Sequence, residues 1–164
     1  MKAMVQHGAK TPVAFDPAWK PLLECAVVEV LEMMAGSRPQ SNPSSSEEPR
    51  GEQTAMVGLA GALCGMITLR CSDPTAARFA SLMLGGDAAS NPATATDALG
   101  ELCNMIAGNF KAKITTLADG CMLSVPTVIT GEDYSMSTVE PTDGFSLAFT
   151  FESEPIWVSL ITHS

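Results

Sequence analysis

Apolar residues recur at helical spacing in three stretches of the chain. Between residues 17 and 35 they follow an i, i+3, i+4 pattern, which is typical of an amphipathic helix. Asp16-Pro17 and Ser72-Asp73-Pro74 are typical helix starts, because a side-chain oxygen caps the first turn and proline fits its first position. The pattern therefore predicts three helices, over Pro17–Ala35, Pro74–Leu84 and about Thr94–Lys113.

Shorter apolar runs bounded by glycine and polar residues predict strands. Residues 55–71 are interpreted as two strands with a turn near Gly61–Gly65, and the segment 132–140 as a candidate for one more. Helices interleaved with hairpin-like strands predict an α+β fold with a mixed or antiparallel sheet. The remaining predicted strands are Met122–Thr130, Phe145–Glu152 and Ile156–Thr162.

The most polar segment covers residues 37–54, SRPQSNPSSSEEPRGEQT, and is dominated by proline, serine and glutamate. Such a composition predicts a mobile loop. It does not predict a domain boundary, because the preceding helix needs the later sheet to cover its apolar face. With 164 residues in all, we expect a lead-in over residues 1–16 and a single domain over residues 17–164.

Charge and hydropathy restrict the partners. Nine basic residues stand against 18 acidic ones, for a net charge of −9, so clustered Lys and Arg for nucleic acid or an anionic membrane are not expected. Residues 1–16 lack the apolar core of a signal peptide, and no window has the roughly 18 apolar residues that span a bilayer. We therefore expect a soluble, cytoplasmic protein.

Cysteine and histidine give no sign of a metal or nucleophilic site. The five cysteines form no Cys-x-x-Cys pair, and the two histidines, His7 and His163, lie near opposite ends of the chain. A zinc site or a Ser-His arrangement is therefore not expected. Most cysteines lie in apolar runs, so we predict buried, reduced thiols.

The third predicted helix carries the candidate chemistry. At roughly 100° per residue, its residues Asp97, Glu101, Asn104 and Gly108 fall within an arc of roughly 60°, while Leu99, Leu102, Ile106 and Phe110 cluster on the opposite side. Glycine inside a helix costs stability relative to alanine. A glycine at this position therefore suggests a function, and we interpret the missing side chain of Gly108 as leaving room for another molecule to approach the helix.

The spacing around this helix resembles the CheC/CheX/FliY family of chemotaxis phosphatases. The family motif is an acid or serine, three residues, Glu, two residues, Asn, twenty-one residues and Pro. Asp97, Glu101, Asn104 and Pro126 match each interval. The sequences GELCNMIAGN and LSVPTVITG are also similar to CheX members, and the resemblance covers about residues 17–162.

This resemblance implies a CheC-like fold, in which two long helices cover one side of the sheet. It implies a phosphatase that hydrolyses the aspartyl phosphate of a CheY-like response regulator. Asn104 would orient the attacking water and Glu101 would pair with the regulator's active-site lysine. Mg²⁺ would come from the regulator, so no cofactor of the chain's own is expected, and CheX-type members imply a homodimer joined through sheet edges.

A single site is expected, because neither Glu24 nor Glu29 on the first helix has Asn three positions later. Asp97 has an alternative role in a capping box with Thr94, and Pro126 has one in fixing strand geometry. Without the motif, an exposed Glu and Asn are a solvated helix face. The alternative to the enzyme is a non-catalytic module that binds a response regulator or resembles a flagellar-switch protein.

Overall fold

The structure is a computed structural model that describes residues 13–45, 52–87, 91–132, 134–135, 137 and 142–163. A 3₁₀ turn over Pro17–Trp19 leads directly into the first helix. Asp16 caps that turn, and Gly36 in the left-handed conformation ends the helix. The described helices are α1 (Lys20–Ala35), α2 (Asp73–Leu84), α3 (Pro92–Ala112) and α4 (Thr115–Ala118).

In the part of the chain that the structure describes, seven strands form one antiparallel sheet in the order β1-β6-β7-β3-β2-β4, and β5 also pairs with β2. Tight turns join β2 to β3 and β6 to β7, so each of these pairs forms a hairpin. The strands are β1 (Gln40–Ser41), β2 (Gln53–Gly61), β3 (Cys64–Cys71), β4 (Cys121–Leu123), β5 (Thr127–Thr130), β6 (Thr142–Phe151) and β7 (Glu154–His163).

The core lies between one face of this sheet and the helices. Alternate residues of β7, namely Ile156, Val158 and Leu160, are fully buried, as expected for a strand with one face on the core. The predicted apolar side of α3 is confirmed, since Leu99, Leu102, Ile106 and Phe110 are all 0% exposed. Helix α3 contacts both α1 and α2, so the predicted α+β fold with helices covering the sheet is confirmed.

Helix α3 begins two residues before the predicted start. Asn91 is its N-cap, with Oδ1 accepting a hydrogen bond from the backbone N of Ala93 at 3.0 Å, and Pro92 fills the first helical position. The first turn therefore contains no acidic residue. The capping-box alternative for Asp97 is wrong, because Thr94 is already inside the helix.

The predicted strand Met122–Thr130 is also wrong, because it is two strands with a break over residues 124–126. The backbone N of Ser124 donates to the Gly58 carbonyl oxygen at 2.9 Å, and the Gly58 N donates to Ser124 Oγ at 2.8 Å. Pro126 has no N–H for the ladder. The break is therefore fixed to the middle of β2 rather than loose.

The segment predicted as a mobile loop, residues 37–54, contains strand residues near its start and at its end, and its mobility stays a prediction. Gln40 and Ser41 form β1 on the edge of β6, and Gln53 and Thr54 are buried at the start of β2. Residues 46–51 lie outside the described ranges. In the segment 132–140, the described residues 132, 134, 135 and 137 are not in a strand, and the others lie outside the description.

The end of the predicted lead-in packs on the domain. The Val13 backbone N donates to the Ala62 carbonyl oxygen at 2.7 Å, and the Phe15 ring lies 6.2 Å from that of Trp19 and 5.9 Å from that of Phe145. Residues 1–12 lie outside the described ranges. Phe15 thus extends the core by one aromatic side chain.

The prediction of buried thiols holds for three of the five cysteines. Cys71, Cys103 and Cys121 are buried, whereas Cys25 and Cys64 are exposed. No helix in the described part of the chain is long and apolar enough to cross a membrane.

Candidate active site

The outer face of α3 presents the predicted residues in one row. Asp97 and Glu101 are exposed, and Asn104 and Gly108 are half-buried. Within the described ranges, no hydrogen bond or ion pair engages the side chain of Asp97, Glu101 or Asn104. The acid and the amide are therefore available to a second molecule, one helical turn apart.

Two glycines lie four residues to either side of Asn104 on the same face of α3. A Cβ atom on Gly100 would lie 3.4 Å from Val128 Cγ2 and 3.5 Å from Pro126 Cβ. A Cβ atom on Gly108 would lie 3.9 Å from Leu123 Cδ1. The segment from β4 to β5 therefore runs along this side of the helix, and Asn104 lies beside it between the two contacts.

This arrangement explains why Pro126 belongs to the motif spacing. The break between β4 and β5 brings Pro126 against Gly100, which is one helical turn from Asn104. Sequence reasoning missed Gly100, although a second glycine inside the helix at the i−4 position was a signal.

The segment that runs along α3 carries an exposed apolar side chain. Val125, which precedes Pro126, is 83% exposed, whereas Met122, which is 75% exposed, alternates on β4 with Cys121 and Leu123 and therefore points away from α3. A large apolar side chain beside polar groups is typical of protein-binding surfaces. Neither residue was singled out from the sequence, because both lie in a run that was interpreted as a continuous strand.

Helix α1 uses its acidic residues differently. Glu29 accepts hydrogen bonds from Lys113 Nζ at 2.8 Å, Asn109 Nδ2 at 3.0 Å and Cys25 Sγ at 3.2 Å. These donors, with Lys113 first, lower the pKa of the Glu29 carboxyl to about 2. Glu29 is therefore engaged in a link between α1 and α3.

Comparison of the sequence with models of protein families identifies the family to which this chain belongs. The model of the family "Chemotaxis phosphatase CheX" matches residues 53–150, which is more than half of the chain. The chain belongs to the CheX family of chemotaxis phosphatases. The matched region contains β2 through most of β6, and therefore the whole of α3 and Pro126. The resemblance inferred from the sequence is confirmed at the level of the family.

Individual CheX proteins agree with this assignment. The CheY-P phosphatase CheX of Thermotoga maritima is 29% identical over 118 residues, which cover 69% of this chain and 76% of the relative. The crystal structure of CheX from Vibrio vulnificus superposes with a TM-score of 0.75 at 18% identity, covering 92% of this chain and all of that one.

A third relative was solved together with its partner. The CheX–CheY–BeF3–Mg²⁺ complex from Borrelia burgdorferi has a TM-score of 0.71 at 21% identity, covering 89% of this chain and 98% of that one. At these identities the two solved structures show the shared fold, and the predicted CheC-like architecture is confirmed.

Proposed function

We propose that this chain hydrolyses the aspartyl phosphate of a CheY-type response regulator, with Asn104 and Glu101 as its working pair. The observation that carries the proposal is their presence on α3, one turn apart, with no partner in the described part of the chain. The name of the Thermotoga maritima relative, CheY-P phosphatase, supports the substrate class. The complex of the Borrelia burgdorferi CheX with CheY supports the partner class.

In the proposed reaction a water molecule attacks phosphorus in line with the bond to the regulator's aspartate. The P–O bond to the carboxyl group breaks, and the products are a free carboxylate and inorganic phosphate. The Asn104 amide suits the orienting role because its oxygen accepts a hydrogen bond from water while its NH₂ donates. Such reactions are catalysed mainly by positioning and charge stabilisation, and in this proposal Mg²⁺ stays with the regulator.

Glu101 is proposed to pair with a lysine in the regulator's active site. Residues three apart on a helix are neighbours, with Cβ atoms roughly 5–6 Å from one another. The Glu101 carboxylate can therefore hold a lysine at the rim while the Asn104 amide reaches the phosphoryl group. A charge-assisted hydrogen bond of this kind fixes register as well as adding affinity.

The remaining motif residues have supporting roles in this proposal. Pro126 packs on Gly100 and so holds the β4–β5 segment against α3, beside Asn104. Asp97 continues the acidic row towards the helix N-terminus. Gly108 leaves the helix surface low enough for the regulator to approach.

The test is release of inorganic phosphate from each phosphorylated response regulator of the host, with and without this protein. We expect acceleration with at least one regulator, and weaker binding and turnover for Glu101→Gln. The matched control is Glu154→Gln, which removes the same charge from the exposed first residue of β7. Binding without acceleration would support the docking module instead. The homodimer implied by the family resemblance stays a prediction, and light scattering of the purified protein tests it.

A further inference from the structure

A second concave site lies between the N-terminal ends of α2 and α3 and the edge of the sheet. This cleft has a volume of about 590 Å³, within the range of roughly 300–1,000 Å³ that is usual for ligand sites. Gln53 of β2 lies at its base, Asp73 and Pro74 of α2 form one wall, and Ala93 and Thr96 of α3 form the other.

Gln53 leaves a hydrogen-bond acceptor unused in this cleft. The side chain is only 5% exposed, and its Nε2 donates to Asp73 Oδ1 at 3.0 Å. Its Oε1 is buried and has no hydrogen-bond partner in the described part of the protein. Because a buried polar atom without a partner costs free energy, an N–H donor brought to this oxygen by a ligand would satisfy it.

The cleft is unsuited to an anion, although two helices begin beside it. The free N–H groups of α2 are already used, since Asp73 N donates to Glu52 Oε2 at 2.8 Å and Thr75 N donates to Ser72 Oγ at 3.3 Å. Asn91 likewise accepts from the N of Ala93 in α3. No Lys, Arg or His is among the described residues that line the cleft.

The available groups therefore favour a cation on an apolar stem. The Asp73 carboxylate is exposed at the rim, and the Gln53 amide that donates to it is buried. Pro74, Ala77 and Pro92 supply apolar walls, against which the methylene groups of a lysine or arginine side chain can pack. The net charge of −9 favours a basic partner over an acidic one.

We propose that this cleft receives a lysine or arginine side chain of the response regulator when it docks on α3. Ala93 and Thr96 line the cleft, and Glu101 follows Thr96 by five residues on the same helix, roughly 7.5 Å along its axis. The inference rests on the proposed function and adds a second basic contact, separate from the lysine assigned to Glu101.

The test compares Asp73→Asn, which removes the charge and keeps an acceptor for Gln53, with the control Asp143→Asn. Asp143 is exposed at the start of β6, at the opposite end of the sheet from Gln53. The Kd for the phosphorylated regulator and the single-turnover rate at saturation are measured for both. For Asp73→Asn we expect the Kd to be about two- to fivefold higher, which is the range of an exposed ion pair, and the rate at saturation to be unchanged. Both the Kd and the rate of Asp143→Asn should match those of wild type.

A second variant, Gln53→Met, removes the unpaired oxygen while keeping the side-chain length. It should weaken regulator binding, and its melting temperature shows whether the fold survives. If wild type accelerates dephosphorylation but Asp73→Asn binds as tightly as wild type, the cleft proposal is wrong and the proposed function stands. If wild type neither binds nor dephosphorylates any regulator, both are wrong.

A small amine distinguishes the source of the cation. Butylammonium is titrated against the wild-type protein while the side-chain amide signals of Gln53 are followed by NMR. Shifts that disappear in Asp73→Asn, together with weaker regulator binding by that variant, support the proposal. The same shifts with unchanged regulator binding would assign the cleft to a free amine and overturn the regulator side chain as its occupant.

Discussion

Replacing Gly108 by Ala separates the stability of α3 from its use as a docking surface. The nearest described atom to the added Cβ would be Leu123 Cδ1 at 3.9 Å, an ordinary van der Waals distance, so the methyl group fits. Alanine is favoured over glycine inside a helix by roughly 0.5–1 kcal/mol. In a chain of 164 residues this gain should raise Tm by about 1–4 °C.

The same methyl group would obstruct a regulator that approaches Gly108 closely. Overpacking of a tight contact costs roughly 1–3 kcal/mol, so kcat/KM for phosphate release should fall by about tenfold. Calorimetry and steady-state phosphate release with one cognate regulator measure the two effects. A lower Tm would show that the added methyl group does not fit at Gly108, and an unchanged kcat/KM would show that the regulator does not approach there.

Gly100→Ala is the matched comparison on the same helix. Its added Cβ would lie 3.4 Å from Val128 Cγ2 and 3.5 Å from Pro126 Cβ, so crowding offsets part of the helix gain. We expect a smaller change in Tm than for Gly108→Ala. Because Gly100 is buried, its methyl group cannot touch the regulator directly, and kcat/KM should fall less.

Three further predictions concern Glu29, the cysteine thiols and Glu101. The pKa of the Glu29 carboxyl is lowered from 4.5 to about 2, so its stabilising contribution is present above about pH 4.5 and is lost as the pH falls towards 2. Glu29→Gln should therefore flatten that part of the acid-unfolding curve. An unchanged curve would contradict the contact between Glu29 and Lys113. Burial raises the pKa of the Cys71 and Cys103 thiols to about 12. Ellman's reagent should therefore react quickly at pH 8 with only the exposed thiols, Cys25 and Cys64. Rapid reaction of a third thiol would show that the core opens. Glu101→Ala should weaken regulator binding and reduce its dependence on salt, whereas an unaltered salt dependence would remove Glu101 from the interface.

The outer face of α3 could be predicted from the sequence, because its helical periodicity and the motif spacing point to the same residues. Helical periodicity places Glu101 and Asn104 opposite the apolar stripe, and the stripe is fully buried in the structure. The start of α3 was misplaced for a local reason. Thr94 offered a capping box, but Asn91 followed by Pro92 is the better start, because it supplies both a side-chain cap and a first-turn proline.

What the sequence could not predict depends on contacts between distant segments. The role of Gly100 appears only when the break over residues 124–126 is hydrogen-bonded to Gly58 and Pro126 packs on the helix. The two-residue strand β1 likewise forms through its pairing with β6. It could not be predicted, because Gln40 and Ser41 have low intrinsic strand propensity. The unpaired oxygen of Gln53 is a property of packing, invisible in a list of residue types.

In the proposed reaction the Asn104 amide positions the attacking water. The most direct measurement is the single-turnover rate of phosphate release at a saturating concentration of protein, for wild type and Asn104→Ala, with regulator binding measured in parallel. Alanine suits a helix, so the fold should be kept, binding should persist, and the rate should fall roughly a hundredfold or more towards that of the regulator alone. A rate equal to that of wild type in a folded, regulator-bound Asn104→Ala protein would show that the Asn104 amide does not position the water.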